Sequence, residues 1–173
     1  MNMIKPLQIM TSERSNVRFP MWRKKMDASM FIEKCTLIPE WVKKDLFKIE
    51  DKYPYKSRKN PQSRVEIQYC HPGGRKTEHI GWVTTTYFER RNDVQRLYFD
   101  DDVLANITRD FKMSYHRTME KIHRGCNSPT IEKEIQFWEF IDIEFDFENL
   151  KFIFVPHYTL DEEIIDDFTY LKN

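Results

Sequence analysis

Two-residue alternation of apolar and polar positions dominates the chain and predicts β-strands. The segment "RVEIQY" (64–69) alternates at every position, and "IGWVTTTYF" (80–88) and "QRLYF" (95–99) are rich in β-branched and aromatic residues. The charged stretch between the last two predicts a hairpin with its tip at Arg90 to Asp93. "FIDIEFDFENLKFIFV" (140–155) predicts a second hairpin around Glu148 and Asn149, with the acidic side chains of its first strand facing solvent.

Helical spacing appears in three other places. Apolar residues between Val103 and Ile122 predict one long helix over about residues 101–124, which starts at three aspartates that suit the positive end of a helix dipole. A short helix is predicted after Pro39 in "IPEWVKKDLF", and another after Thr159 in "TLDEEIIDDFTYL". Hairpins around separate helices indicate an α+β fold with a β-rich, mixed or antiparallel, barrel-like core.

Length and composition favour one packed domain. The 173 residues are 40% hydrophobic and 14% aromatic, so residues 16–173 are predicted to form a single domain, preceded by a polar, flexible arm at 1–15. No long apolar run and no signal-like start are present, so we expect a cytoplasmic protein without membrane contact. Three widely spaced cysteines predict buried free thiols, and no cofactor is expected.

The charge of the chain is zero overall but divides unevenly. The 28 basic and 28 acidic side chains give +9 over residues 1–125 and −9 over residues 126–173. This asymmetry permits a basic face that binds a polyanion, while the acidic residues 126–173 could bind a protein partner. It equally permits the two parts to fold against each other and neutralise their charges.

Basic residues gather in the predicted loops and hairpin tips. Arginine forks bind phosphate or the O6/N7 edge of guanine, and asparagine can bind the N6/N7 edge of adenine, so these segments predict contacts to double-stranded DNA. The predicted base-reading residues are Arg90, Arg91, Asn92, Asp93 and Arg96. The residues predicted to position the DNA backbone are Lys24, Lys25, Arg58, Lys59, Arg75 and Lys76.

Two alternative functions are also compatible with the sequence. Asp51 or Asp45, followed by Glu66 and Gln68 on a strand, is a variant of the acid and Glu-x-Lys pattern of Mg²⁺-dependent endonucleases, with glutamine in place of lysine. The row Asp142, Glu144 and Asp146 could instead mimic DNA phosphates or bind a protein partner. Magnesium is expected only under the nuclease alternative.

Four segments resemble the N-terminal effector-binding domain of EcoRII-type restriction endonucleases, which is related to the plant-type DNA-binding pseudobarrel: "RKKMDASMFIEKCTLIPEWVKKDLF", "NPQSRVEIQY", "RRNDVQR" and "FVPHYTLDEEIIDDF". The resemblance implies a restriction or defence function in which two arms grip the major groove. It assigns Arg91, Asn92 and Asp93 to the family's Arg-Asn-Glu-x-Arg cluster, with Arg96 displaced by one position, and places Lys24 and Lys25 at the start of the other arm.

Overall fold

The computed structural model describes residues 19–53, 63–90, 92–123 and 139–157. Within these ranges the chain has the predicted α+β fold, with a curled seven-stranded sheet that forms half a barrel and a few helices. None of the described helices has the length and apolar character that crossing a membrane requires.

The sheet is antiparallel except at one junction. Its strands are β1 (Met21–Lys25), β2 (Cys35–Ile38), β3 (Arg64–Cys70), β4 (Lys76–Thr86), β5 (Val94–Phe99), β6 (Phe140–Asp146) and β7 (Lys151–His157). They lie in the order β1-β6-β7-β3-β4-β5-β2, and the β7–β3 pair is parallel. The predicted hairpins are confirmed, because β4 pairs with β5 and β6 pairs with β7.

Helices cover one face of the sheet. They are α1 (Ala28–Ile32), a π-helical turn (Val42–Leu46), α2 (Asp101–Asp110) and α3 (Lys112–His123), and a 3-10 turn (Pro72–Gly74) joins β3 to β4. Asp100 caps α2, because its side chain accepts a hydrogen bond from the Val103 backbone nitrogen. The predicted long helix is therefore two helices that meet at Phe111, whose backbone (φ −110°, ψ 53°) is not helical.

The core lies between this helical layer and the inner face of the sheet. Phe47 contacts Phe145 and Phe152, and Phe31 on α1 meets Tyr115 on α3 edge to face. Gly81, in the middle of β4, is needed for close packing: a Cβ atom there would lie 2.6 Å from the Tyr98 carbonyl oxygen and 2.5 Å from Ile67 Cδ1.

The acidic row on β6 differs from its predicted placement. Every residue of β6 is buried, and Asp142, Glu144 and Asp146 are at most 9% exposed. Asp142 is held by Arg23 and His157, and Asp146 accepts hydrogen bonds from the turn residues Glu148 and Asn149. The expectation of a solvent-facing acidic strand was wrong, because alternation distinguishes the two faces of a strand but does not reveal partners that bury the polar face.

Candidate nucleic-acid interface

The polar residues of interest lie at the two opposite ends of the sheet. The tip end comprises the β4–β5 connection (residues 87–93) together with the π-helical turn, which follows the neighbouring edge strand β2. The turn end comprises the 3-10 turn between β3 and β4, the last residues of β1 and β7, and the start of α2.

Two of the predicted base-reading residues are exposed at the tip end. Arg90 and Asn92 are exposed, and neither has a side-chain partner among the described residues. Arg96 lies on β5, half-buried, where it pairs in register with Thr84 of β4 and Leu37 of β2. Arg91 lies outside the described residues. The tip therefore presents at least two hydrogen-bonding side chains to solvent.

A buried lysine joins the tip to the π-helical turn. The Lys43 side chain, 2% exposed, lies on the π-helical turn, and its ammonium group donates a hydrogen bond to the backbone carbonyl of Asp93. It also forms an ion pair with Glu40 at 2.9 Å. The backbone carbonyl of Asp93 therefore attaches the tip to the π-helical turn, and the residue itself is half-buried.

Gln95 forms a second attachment. Its side-chain amide donates to the backbone carbonyls of Ile49 (3.4 Å) and Glu50 (3.1 Å) and contacts the Thr85 hydroxyl at 3.1 Å. Thr85 in turn donates to the Tyr53 carbonyl at 3.0 Å. These buried bonds tie residues 49–53 to both strands of the β4–β5 hairpin, so the base of the hairpin is rigid.

Arg75 and Lys76 are exposed at the turn end, far from Arg96. Lys76 and Thr84, the register partner of Arg96, lie eight residues apart along β4, which corresponds to about 27 Å at about 3.4 Å per residue of antiparallel strand. The structure thus separates the predicted basic set into two groups rather than gathering it into one patch.

Basic residues of β1 lie five strand steps away from β5, at the other side of the sheet. Lys24 forms an ion pair with Asp27 and lies over the Trp22 ring, and Lys25 is half-buried. Their neighbour Arg23 makes a two-point contact with the fully buried Asp142, at 2.9 and 3.1 Å. Arg58 and Lys59 lie outside the described residues.

Within the described part of the chain, the acidic residues of the nuclease alternative do not come together as metal ligands. Glu66 is exposed on β3, while the Gln68 amide donates to Glu78 at 2.7 Å. Across the described ranges, the side chains of His79, Asp100 and Asp102 converge as possible metal ligands, and Asp45, Asp51 and Glu66 belong to no such group.

A chain of side-chain hydrogen bonds crosses the turn end. The Thr77 hydroxyl is 2.7 Å from both His71 Nε2 and His79 Nε2, and His71 Nδ1 accepts from Arg109 at 3.0 Å. Burial and the nearby Arg75 and Arg109 lower the pKa of His71, so this imidazole is neutral at pH 7.

The residues that anchor the tip end and those that converge at the turn end were not predicted from the sequence. A signal for Gln95 exists, since it alternates with Leu97 and Phe99 and therefore occupies an apolar face. Lys43 carries no such signal, because a lysine beside Lys44 on a short helix is typical of a solvated surface. His79 and Asp100 are 21 positions apart and meet through the pairing of β4 with β5.

Comparisons with known proteins identify no relative of this chain. No protein-family model, no curated protein and no solved structure matches the chain.

Proposed function

We propose that the protein is a sequence-selective double-stranded DNA-binding domain of the restriction or defence type, and that its tip end reads the major groove. The observation that carries the proposal is the exposed pair Arg90 and Asn92, displayed on a hairpin whose base is tied down by the buried side chains of Lys43 and Gln95. The resemblance of several segments to EcoRII-type effector-binding domains supports the same assignment.

The chemistry of the tip suits base edges. A two-stranded ribbon fits the major groove, which is about 12 Å wide, and brings its connecting residues to the floor of the groove. There Arg90, with Arg91 and Arg96, would donate to guanine O6 and N7, and Asn92 would bind adenine N6 and N7. A pre-ordered hairpin loses less conformational freedom on binding, which favours affinity as well as selectivity.

The other basic groups have a different role in this proposal. Arg75 and Lys76, about 27 Å from Arg96 along β4, are too distant to read the same base pairs. They and the β1 lysines, with Arg58 and Lys59, would contact phosphates, which adds affinity without sequence preference.

Selection from a pool of duplexes with randomised central positions tests this division. Wild-type protein should shift the pool at low salt and enrich a defined motif. Arg90→Ala and Asn92→Ala should lose enrichment at individual positions of that motif, since a two-point contact discriminates by about 1–3 kcal/mol.

Lys76→Ala is the matched control for this selection, because Lys76 is also exposed and has no side-chain partner in the described ranges. It should enrich the same motif, bind more weakly and reduce the slope of log affinity against log salt by about one. No shift by wild-type protein, or an unchanged motif with Arg90→Ala, would contradict the proposal.

A plasmid assay separates binding from cleavage. The proposed binding domain leaves supercoiled plasmid intact in the presence of Mg²⁺. Nicking that disappears in Glu66→Gln would instead favour the nuclease built on Asp51, Glu66 and Gln68.

A further inference from the structure

We infer that His79, Asp100 and Asp102 form a binding site for a divalent transition-metal ion such as Zn²⁺ or Mn²⁺ at the turn end. One potential ligand atom from each of these side chains lies within 4.8 Å of the other two. The site is separate from the tip-end residues of the DNA proposal and does not depend on that proposal.

The spacing of the ligand atoms is close to what a metal ion requires. Donor atoms at about 2.1 Å from one ion lie about 3.0 Å apart at octahedral angles and about 3.4 Å apart at tetrahedral angles. His79 Nδ1 and Asp100 Oδ1 are 3.9 Å apart, so these two atoms would approach each other by about 0.5 Å on binding a tetrahedral ion. Asp102 is exposed in the first turn of α2, and one of its carboxylate oxygens lies within 4.8 Å of a ligand atom of each of the other two residues.

The surroundings hold two of the ligands in place. Asp100 accepts hydrogen bonds from the backbone nitrogens of Val103 (2.8 Å) and Ile80 (3.3 Å), which orient its carboxylate. His79 Nε2 is bonded to the Thr77 hydroxyl, so Nδ1 is the nitrogen that faces the acids. Hydrogen bonds of this kind to the far side of a ligand are typical of metal sites.

The proton positions are compatible with metal at Nδ1. Arginine only donates, so His71 Nδ1, which meets Arg109, is an acceptor, and His71 Nε2 carries the proton and donates to Thr77. The Thr77 oxygen has two lone pairs and can accept a second bond from His79 Nε2–H. That tautomer leaves a lone pair on His79 Nδ1.

The local charge favours a cation. Asp101 pairs with Lys34 at 2.7 Å, whereas Asp102 has no hydrogen-bond or ion-pair partner among the described residues. The helix dipole supplies roughly half a positive charge at this end, so Asp100 and Asp102 together retain roughly −1.5. One nitrogen and two oxygen ligands, one of them exposed, leave coordination positions for water, unlike a closed structural zinc site.

Calorimetric titration of the full chain with ZnCl₂, and separately with MnCl₂, at pH 7.5 tests the site. Wild-type protein should bind one equivalent at a site that Asp102→Asn weakens about 10- to 100-fold and His79→Gln weakens at least as much. Asp101→Asn removes the same charge one residue away and should leave the affinity unchanged.

Two results would overturn the inference. One is equal weakening by Asp101→Asn and Asp102→Asn, which indicates diffuse attraction to the helix start. The other is binding that is unchanged in both Asp102→Asn and His79→Gln, which places the ion elsewhere. Mobility shifts of duplex DNA by these variants are read in parallel, and a loss of metal binding without a change in DNA binding leaves the DNA proposal intact.

Discussion

The two ends of the sheet use buried polar groups in opposite ways. At the tip end, Lys43 and Gln95 donate to backbone carbonyls, so the hairpin is fixed while Arg90 and Asn92 remain available. At the turn end, side chains bind mainly to one another, as in the Arg23–Asp142–His157 cluster and the His71–Thr77–His79 chain. The first arrangement positions a backbone that displays other residues, and the second fixes the orientation of its own side chains.

The largest effect should come from breaking the buried cluster at the turn end. Asp142→Ala removes a fully buried carboxylate and leaves Arg23 and His157 facing each other without their shared acceptor. The free energy of unfolding, from urea denaturation, should fall by about 3–5 kcal/mol. Asp101→Asn, which breaks the exposed pair with Lys34, is the control and should change stability by less than about 1 kcal/mol. Comparable losses in the two variants would contradict a buried cluster.

A smaller, local loss is expected from the attachment at the tip end. Lys43→Met keeps most of the side-chain volume but leaves the Asp93 carbonyl without its buried donor, which should cost about 1–3 kcal/mol. Amide hydrogen exchange should accelerate in peptides covering Asp93 to Leu97 more than in β6 and β7. Lys44→Met, on the exposed neighbour, is the matched control and should leave exchange at the tip unchanged. Uniform acceleration across the sheet would mean that Lys43 supports the whole core rather than the tip.

The smallest expected effect is a pH dependence of the free energy of unfolding, which comes from His71 at the turn end. The folded pKa of His71 lies below its unfolded value because of burial and the nearby Arg75 and Arg109. The unfolded chain therefore binds more protons as pH falls below about 6.5, and stability should decrease from there down to the folded pKa. His71→Gln should remove this part of the decrease between pH 7.5 and pH 5. Urea midpoints at the two pH values measure it, and an identical decrease in wild type and variant would show that other groups cause it.

Local pattern was enough to predict much of this fold. Strand β3 alternates as its sequence indicates, and Asp100 caps α2 where the acidic run predicted a helix start. The parallel β7–β3 contact and the burial of both faces of β6 depend on residues far apart in sequence, so alternation alone could not supply them. The helical spacing of apolar residues continues past Phe111, so the end of α2 at that residue could not be predicted from the spacing.

The candidate sites were predictable to a lesser degree. Hairpin chemistry indicated that Arg90 and Asn92 would be displayed on a connection, and they are exposed there. That Arg75 and Lys76 would lie at the opposite end of β4 follows from the length of the strand, which has 11 residues and begins four residues before the predicted start at residue 80. The convergence of His79 with Asp100 and Asp102 is a product of strand pairing and has no local signature.

The most direct test of the central claim is the ratio of dissociation constants for a scrambled duplex and the selected duplex, measured by fluorescence anisotropy across a salt series. The double variant Arg90→Ala/Asn92→Ala should bring this ratio close to one. Arg75→Ala/Lys76→Ala should preserve the ratio and reduce the salt slope by up to about two. Equal loss of discrimination in the two double variants would contradict a reading role confined to the tip end.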